Sequence, residues 1–169
     1  MDMNKNFSQI KQYKRIYLFS FLNIFLILFD QVIKWIIENN MNLHDSFFAL
    51  GFLRITYLQN YGAAFSILSG QKIILIIVTL LIISLLIAFF IKKQIKDLLY
   101  MVSIAMVTSG GIGNLIDRIF RGYVVDYFDV TIWPLDDFAI FNFADCLVVV
   151  GTIIFAIKFI IGEFFRDKV

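Results

Sequence analysis

Long apolar runs alternate with two polar intervals along this chain. Four of the runs, residues 16–37, 73–91, 98–116 and 141–161, approach or exceed the ~20 residues that a helix needs to cross a bilayer. The second carries no charge. The first is interrupted by Asp30 and Lys34, the third turns small and polar at its end, and the fourth holds Asp145 near its start and Lys158 near its end. The first run has a basic lead-in, but its apolar stretch is long and no A-x-A site follows, so it reads as a retained helix. Residues 47–58 mix apolar and β-branched residues in loose alternation and predict short strands, and residues 123–130 read as extended too. The pattern predicts an all-α membrane protein with four transmembrane helices and a small extracytoplasmic β-region. It forms one domain over 1–169, with outer loops at about 38–72 and 117–140.

Lys and Arg orient the spans. Lys5, Lys11, Lys14 and Arg15 flank the first, Lys92, Lys93 and Lys96 lie between the second and third, and Lys158, Arg166 and Lys168 end the chain. The opposite loops hold only Arg54 and Lys72, and Arg118 and Arg121. By the positive-inside rule both termini are expected in the cytoplasm and both outer loops outside, with Trp35 and Trp133 near the outer interface.

Composition narrows the chemistry. The chain is 60% hydrophobic and 17% charged with a net charge of +2, which fits lipid and argues against nucleic acid. Its single cysteine, Cys146, excludes an internal disulfide and a cysteine metal cluster, and reads as a small packing residue. Its one histidine, His44, stands alone in a polar loop as a solvated residue, so no Ser/His pair is in reach. Metal ligation by carboxylates alone is possible on composition but lacks the usual histidine. Gly110, Gly111 and Gly113 suit close helix packing and not a phosphate loop.

Charged residues inside spans cost about 2.5–3.5 kcal/mol each at a helix centre and are functional candidates for that reason. The orientation brings them together. Asp30 and Lys34, spaced to pair on one helix face, share the outer leaflet with Asn114, Asp117 and Arg118 and with Asn142 and Asp145. Asn60 and Asp126 lie in the outer loops. Two carboxylates close together share a proton, and such a pair activates water for peptide hydrolysis. Asp136, Asp137 and Asp129 read as loop solvation and Asp117, beside Arg118, as an ion-pair member. Asp145 is hardest to dismiss, and spacing leaves its partner open between Asp117 and Asp126. A transport or proton-relay subunit and a non-enzymatic assembly protein are the competing classes. The first expects polar groups at several depths, and the second leaves the aspartate and asparagine cluster without a role.

At these residues the chain resembles the lipoprotein signal peptidases (type II signal peptidases). Phe29-Asp30-Gln31-Val32-Ile33-Lys34 resembles F-D-Q-x-x-K, and Asn60-Tyr61-Gly62-Ala63-Ala64-Phe65-Ser66 resembles N-x-G-A-A-F-S. Gly113-Asn114-Leu115-Ile116-Asp117-Arg118 resembles G-N-x-x-D-R. Val124-Val125-Asp126-Tyr127 resembles V-V-D-F, and Phe141-Asn142-Phe143-Ala144-Asp145 resembles F-N-x-A-D. The departures are Ser109-Gly110 for a usual Gly-Gly, Tyr127 for Phe, and Ala139 for Pro.

The resemblance implies a bacterial cytoplasmic-membrane aspartic endopeptidase, active at the outer face without a cofactor. It would cleave prolipoproteins before their diacylglyceryl-modified cysteine. Asp126 and Asp145 match the catalytic pair, while Asn60, Asn114, Arg118 and Asn142 match positions lining or supporting the site. Asp117, Asp30 and Lys34 lie in matching motifs. Gly62 and Ala63 suggest a tight turn that cradles an extended peptide. Expected partners are prolipoproteins, membrane lipids along the Phe-rich faces, and the family's peptide-like inhibitors at the aspartate pair.

Overall fold

In the computed structural model, which describes residues 3–62, 68–93, 95, 97–131 and 138–166, the chain forms seven elements. In order they are α1 (Met3–Asn40), β1 (Ser46–Leu50), β2 (Leu53–Asn60), α2 (Lys72–Lys93), α3 (Leu98–Phe120), β3 (Val124–Val130) and α4 (Phe143–Arg166). Stretches long and apolar enough to cross a membrane are Gln12–Asn40, Lys72–Lys93, Leu98–Phe120 and Phe143–Ile161.

Of these four, α3 is the centre. Some 61% of its span is buried, against 11% or 17% for the others, and it packs on α1, α2 and α4. Its buried small residues, among them Ser103, Ala105, Ser109, Gly110 and Gly113, let neighbouring backbones approach closely. A Cβ at Gly110 would collide with the Ala144 carbonyl oxygen, and one at Gly113 would lie 2.5 Å from Asp30 Oδ2. The expected packing role of these glycines holds. At the end away from the sheet, Phe19, Phe90, Met101 and Ile104 form an apolar core in which the Phe19 and Phe90 rings stack at 4.2 Å.

Helix ends differ from the sequence expectation where polar residues continue a helix. The first helix begins by Met3 because its basic lead-in contains no Pro or Gly to break it. The third runs past residue 116 to Phe120, so Asp117 and Arg118 are helical. It stops at Gly122, whose φ of 90° suits the left-handed position after a helix, while Arg121 and Gly122 N–H both bond to the Asp117 carbonyl. The fourth starts at Phe143 rather than residue 141, leaving Asn142 as its cap.

The strands pair antiparallel in the order β1-β2-β3, as the extended readings of 47–58 and 123–130 anticipated. Opposite Leu58 lies Asp126, and opposite Asn60 lies Val124, so Asn60 and Asp126 are diagonal neighbours on one face. The other face packs Tyr57, Val125 and Tyr127 against Ile33 and Ile37 of α1. Asp129 is not the solvated loop residue the sequence suggested. It is 5% exposed and takes Arg54 at 2.7 Å and Thr56 Oγ1 at 2.8 Å, because its cross-strand partner is Arg54. His44, by contrast, is exposed as expected. Trp133, Asp136 and Asp137 lie outside the described residues.

Candidate active site

Four elements converge where α3 and α4 meet β3. An antiparallel bridge between Phe128 and Phe141 ties β3 to the segment before α4, with Phe128 N–H to Phe141 O at 2.7 Å. That bridge brings Asp126 on the strand beside Asp145 in the first turn of the helix.

The start of α4 is sealed completely. A helix leaves its first N–H groups unpaired, and burial makes each of them costly. Asn142 Oδ1 accepts Asp145 N–H at 3.0 Å and Asp145 Oδ2 accepts Asn142 N–H at 3.0 Å, a reciprocal capping box. The other two go to different elements. Tyr127 Oη on β3 accepts Phe143 N–H at 3.2 Å, and Asp30 Oδ1 on α1 accepts Ala144 N–H at 3.2 Å.

Two asparagines link the carboxylates. Asn142 Nδ2 donates to Asp126 Oδ1 at 2.7 Å and to Asn114 Oδ1 at 3.2 Å. Asn114 Nδ2 donates to Asp145 Oδ1 at 2.8 Å. The second oxygen of Asp126 accepts Asn60 Nδ2 at 2.9 Å, while Asn60 Oδ1 holds Gly62 N–H at 2.8 Å in a side-chain turn. Asp126 is 1% exposed. Burial first, then the nearby Asp145 charge, push its carboxyl up to about 7, although Asn60 and Asn142 pull the other way.

Behind this pair lies a second, fully buried charge set. Lys34 Nζ contacts Asp30 at 2.9 Å, Asp117 at 2.7 Å and Asn114 Oδ1 at 2.9 Å. The expected Asp30–Lys34 pair is therefore present, and Asp117 belongs to it. Arg118 does not take Asp117. Its guanidinium turns to Gly62 O at 2.9 Å and Asn114 O at 3.5 Å, and Arg121, one turn on, binds Asp117 at 2.6 Å and Glu38 at 2.7 Å. Gln31 joins by donating to Asp30, Asp117 and Gly113 O, and Tyr123 donates to Glu38 at 2.9 Å. Sequence reasoning left Gln31, Glu38, Arg121 and Tyr123 without roles. Spacing held a signal for Arg121, four residues from Asp117, but would have paired Glu38 with Lys34 four residues before it, whereas Glu38 takes Arg121. Breaking a buried charge set by removing one partner costs about 3–5 kcal/mol. Among the described residues no buried side-chain N or O lacks a partner.

A cavity of about 460 Å³ opens on the carboxylates. Asn60, Asn114, Arg118, Asp126 and Asp145 line its polar end, and Phe138, Ile140, Phe141, Val148, Val149 and Val150 give it an apolar flank. Cys146 lines it as well and is half-buried. The site thus unites Asp126, Asp145, Asn60, Asn114 and Arg118 at one cavity. Asn142 stands directly behind, and Asp30, Lys34 and Asp117 lie one layer deeper. Ala63 is outside the described residues. No group of three or more His, Cys, Asp or Glu among the described residues could hold a metal ion.

Comparison with known proteins places the chain in a family and supports its fold. The family model described as signal peptidase (SPase) II matches residues 22–161. The lipoprotein signal peptidase of Staphylococcus aureus strain JH9 is 43% identical over 135 residues, covering 79% of this chain and 82% of that protein. The same values hold for the strain Newman protein. A bacterial membrane enzyme solved by the in meso method at 2.3 Å superposes with a TM-score of 0.81 at 38% identity, covering 91% of this chain and 93% of that one.

Proposed function

The chain belongs to the signal peptidase II family, and from that premise we propose that it is an aspartic endopeptidase acting on prolipoproteins through Asp126 and Asp145. The protease class and the prolipoprotein substrate come with the family. The aspartate pair rests on one observation: Asp126 from β3 and Asp145 from α4 line one cavity and are joined by the Asn114–Asn142 amide pair.

The chemistry follows from the proton count. With its carboxyl pushed up to about 7 by burial and by Asp145, Asp126 is the member of the pair assigned the shared proton, which it holds increasingly as pH falls below that value. Asp145 then takes a proton from a water lying between the two. The water oxygen attacks the scissile carbonyl carbon while Asp126 gives its proton to the carbonyl oxygen. When the tetrahedral intermediate collapses, the C–N bond breaks, the proton on Asp145 passes to the departing amine, and one hydroxyl of the intermediate returns its proton to Asp126. The released amine is that of the diacylglyceryl-modified cysteine, and the signal peptide leaves as a carboxylic acid. Arg118 faces the cavity from α3 and offers N–H groups to a substrate carbonyl. The apolar flank on α4 accepts acyl chains arriving through the bilayer. Peptide-like inhibitors would occupy the same cavity and meet the same carboxylates.

The Lys and Arg distribution supports a membrane orientation with both termini cytoplasmic and the sheet outside. The transport alternative gains nothing from the structure. The buried ionic groups gather at one end of the bundle, and the polar groups deeper in it, Asn23, Ser103 and Thr108, are uncharged and bonded to one another or to carbonyls of their own helices, as is Ser84 of α2.

The test is cleavage of a diacylglyceryl-modified prolipoprotein by the detergent-purified protein beside Asp126→Asn and Asp145→Asn. We expect cut product from the wild type and none above background from either folded variant. Full activity in either variant would refute the assignment.

A further inference from the structure

Lys34 belongs to the buried charge set, yet one of its contacts leaves that set. A lysine ammonium has three N–H donors and no acceptor. Two of the three go to Asp30 and Asp117. The third goes to Asn114 Oδ1 at 2.9 Å, and Asn114 is the residue whose other amide atom touches Asp145.

Building on the aspartate-pair reading, we infer that Lys34 is a positioning residue of the catalytic site, which locks the Asn114 amide so that its NH2 faces Asp145. An asparagine side chain is nearly symmetric in shape and can turn over, exchanging a donor for an acceptor. A donor-only neighbour removes that freedom, because only the carbonyl oxygen can face it. Asn142 Nδ2 also reaches Asn114 Oδ1, but at 3.2 Å, and the same NH2 group serves Asp126 at 2.7 Å. Lys34 is thus the charged and closer of the two donors to that oxygen. Without it, the Asn114 oxygen turned toward Asp145 would set two acceptors against each other.

Lys34 is suited to the task because it is buried and all three of its N–H groups are engaged. It is fully buried on a helix whose neighbouring side chains, Val32, Trp35 and Ile36, are exposed. Asp30 and Asp117 hold its ammonium from α1 and α3, and Asp30 in turn holds the Ala144 N–H of α4. Three helices thereby fix one amide.

A purely structural Lys34 would serve only to balance Asp30 and Asp117, and the two roles separate experimentally. The double variant Asp30→Asn/Lys34→Met removes one charge of each sign, so the buried set keeps its balance, and the amide introduced at position 30 retains an oxygen for Ala144 N–H. The measurement is kcat, KM and the pH profile of prolipoprotein cleavage, with unfolding followed in the same detergent. The charged or titratable groups around Asp145 are Asp126 and Tyr127 from β3, Arg118 and Asp117 from α3, Asp30 and Lys34 from α1, and Cys146 on α4 itself.

We expect the double variant to fold, to keep its KM, to lose roughly 10- to 100-fold in kcat as misplaced catalytic geometry does, and to show a displaced pH profile. Lys34→Arg, which keeps a donor-only cation there, should recover part of the kcat. A double variant with wild-type kcat and profile would show that charge balance is all Lys34 supplies and overturn the inference, as would a double variant that fails to fold. Asp145→Asn run alongside separates the two levels. If it is inactive while the double variant is fully active, only the Lys34 role falls. If it cleaves normally, the aspartate reading falls first.

Discussion

Asn142 donates to Asp126 at 2.7 Å from one end of its amide and caps the Asp145 N–H at 3.0 Å with the other. One side chain therefore fixes the strand aspartate and starts the helix that carries its partner. The two duties are separable by chemistry. Serine is a good helix cap but is too short to reach Asp126.

Asn142→Ser should therefore keep most of the stability and lose roughly 10- to 100-fold in kcat. Asn142→Ala should lose the same activity and about 1 kcal/mol of stability besides. Prolipoprotein cleavage and detergent unfolding of the two variants together check this. Equal activity of Asn142→Ser and wild type would remove the Asp126 contact from the mechanism.

The raised Asp126 carboxyl predicts a pH dependence with a definite sign. Unfolded, the group titrates near 3.8, and folded, near 7, chiefly because burial disfavours its charge. The folded state thus binds this proton more tightly between those values. The stabilisation linked to it is complete below about pH 4 and is lost as pH rises through 7. Wild type should fall in unfolding midpoint between pH 5 and 8 relative to Asp126→Asn, and kcat should decline above about 7 as the shared proton leaves. Midpoints that stay parallel across this window would place the carboxyl in a water-like environment.

Tyr127 stands where the family usually has Phe, and the structure gives its hydroxyl a task. It accepts the Phe143 N–H at the first turn of α4, with the ring 1% exposed behind the sheet. Burial also pushes the phenol well above its ordinary pKa, so it stays neutral. Tyr127→Phe leaves that buried N–H unpaired and should cost about 1–3 kcal/mol, read from the unfolding midpoint. Cleavage should persist, because the hydroxyl touches neither carboxylate.

The residues alone determined a good deal. Four spans were legible because lipid demands long uninterrupted apolar runs, and the strands because β-branched and aromatic residues alternate there. Asp30, Lys34, Asn114 and Asp145 stood out because polar groups in such runs are costly. Asp126 was different: without the family resemblance, spacing left it and Asp117 as equal partners for Asp145.

The tertiary structure separates the surroundings of those two. Asp117 faces inward to Lys34 and Arg121, whereas the β2–β3 register and the Phe128–Phe141 bridge turn Asp126 toward Asp145. The same holds for Arg118, whose adjacency to Asp117 suggested a pair. On a helix, consecutive side chains diverge by about 100°, so Arg118 faces the cavity and Arg121, one turn on, takes the aspartate. Asp129 looked like loop solvent until strand pairing set it against Arg54. Periodicity and hydropathy act within a segment and can be read along the chain. Which face of one segment meets which face of another depends on register and packing, and at this site those contacts decided the partner of each charge.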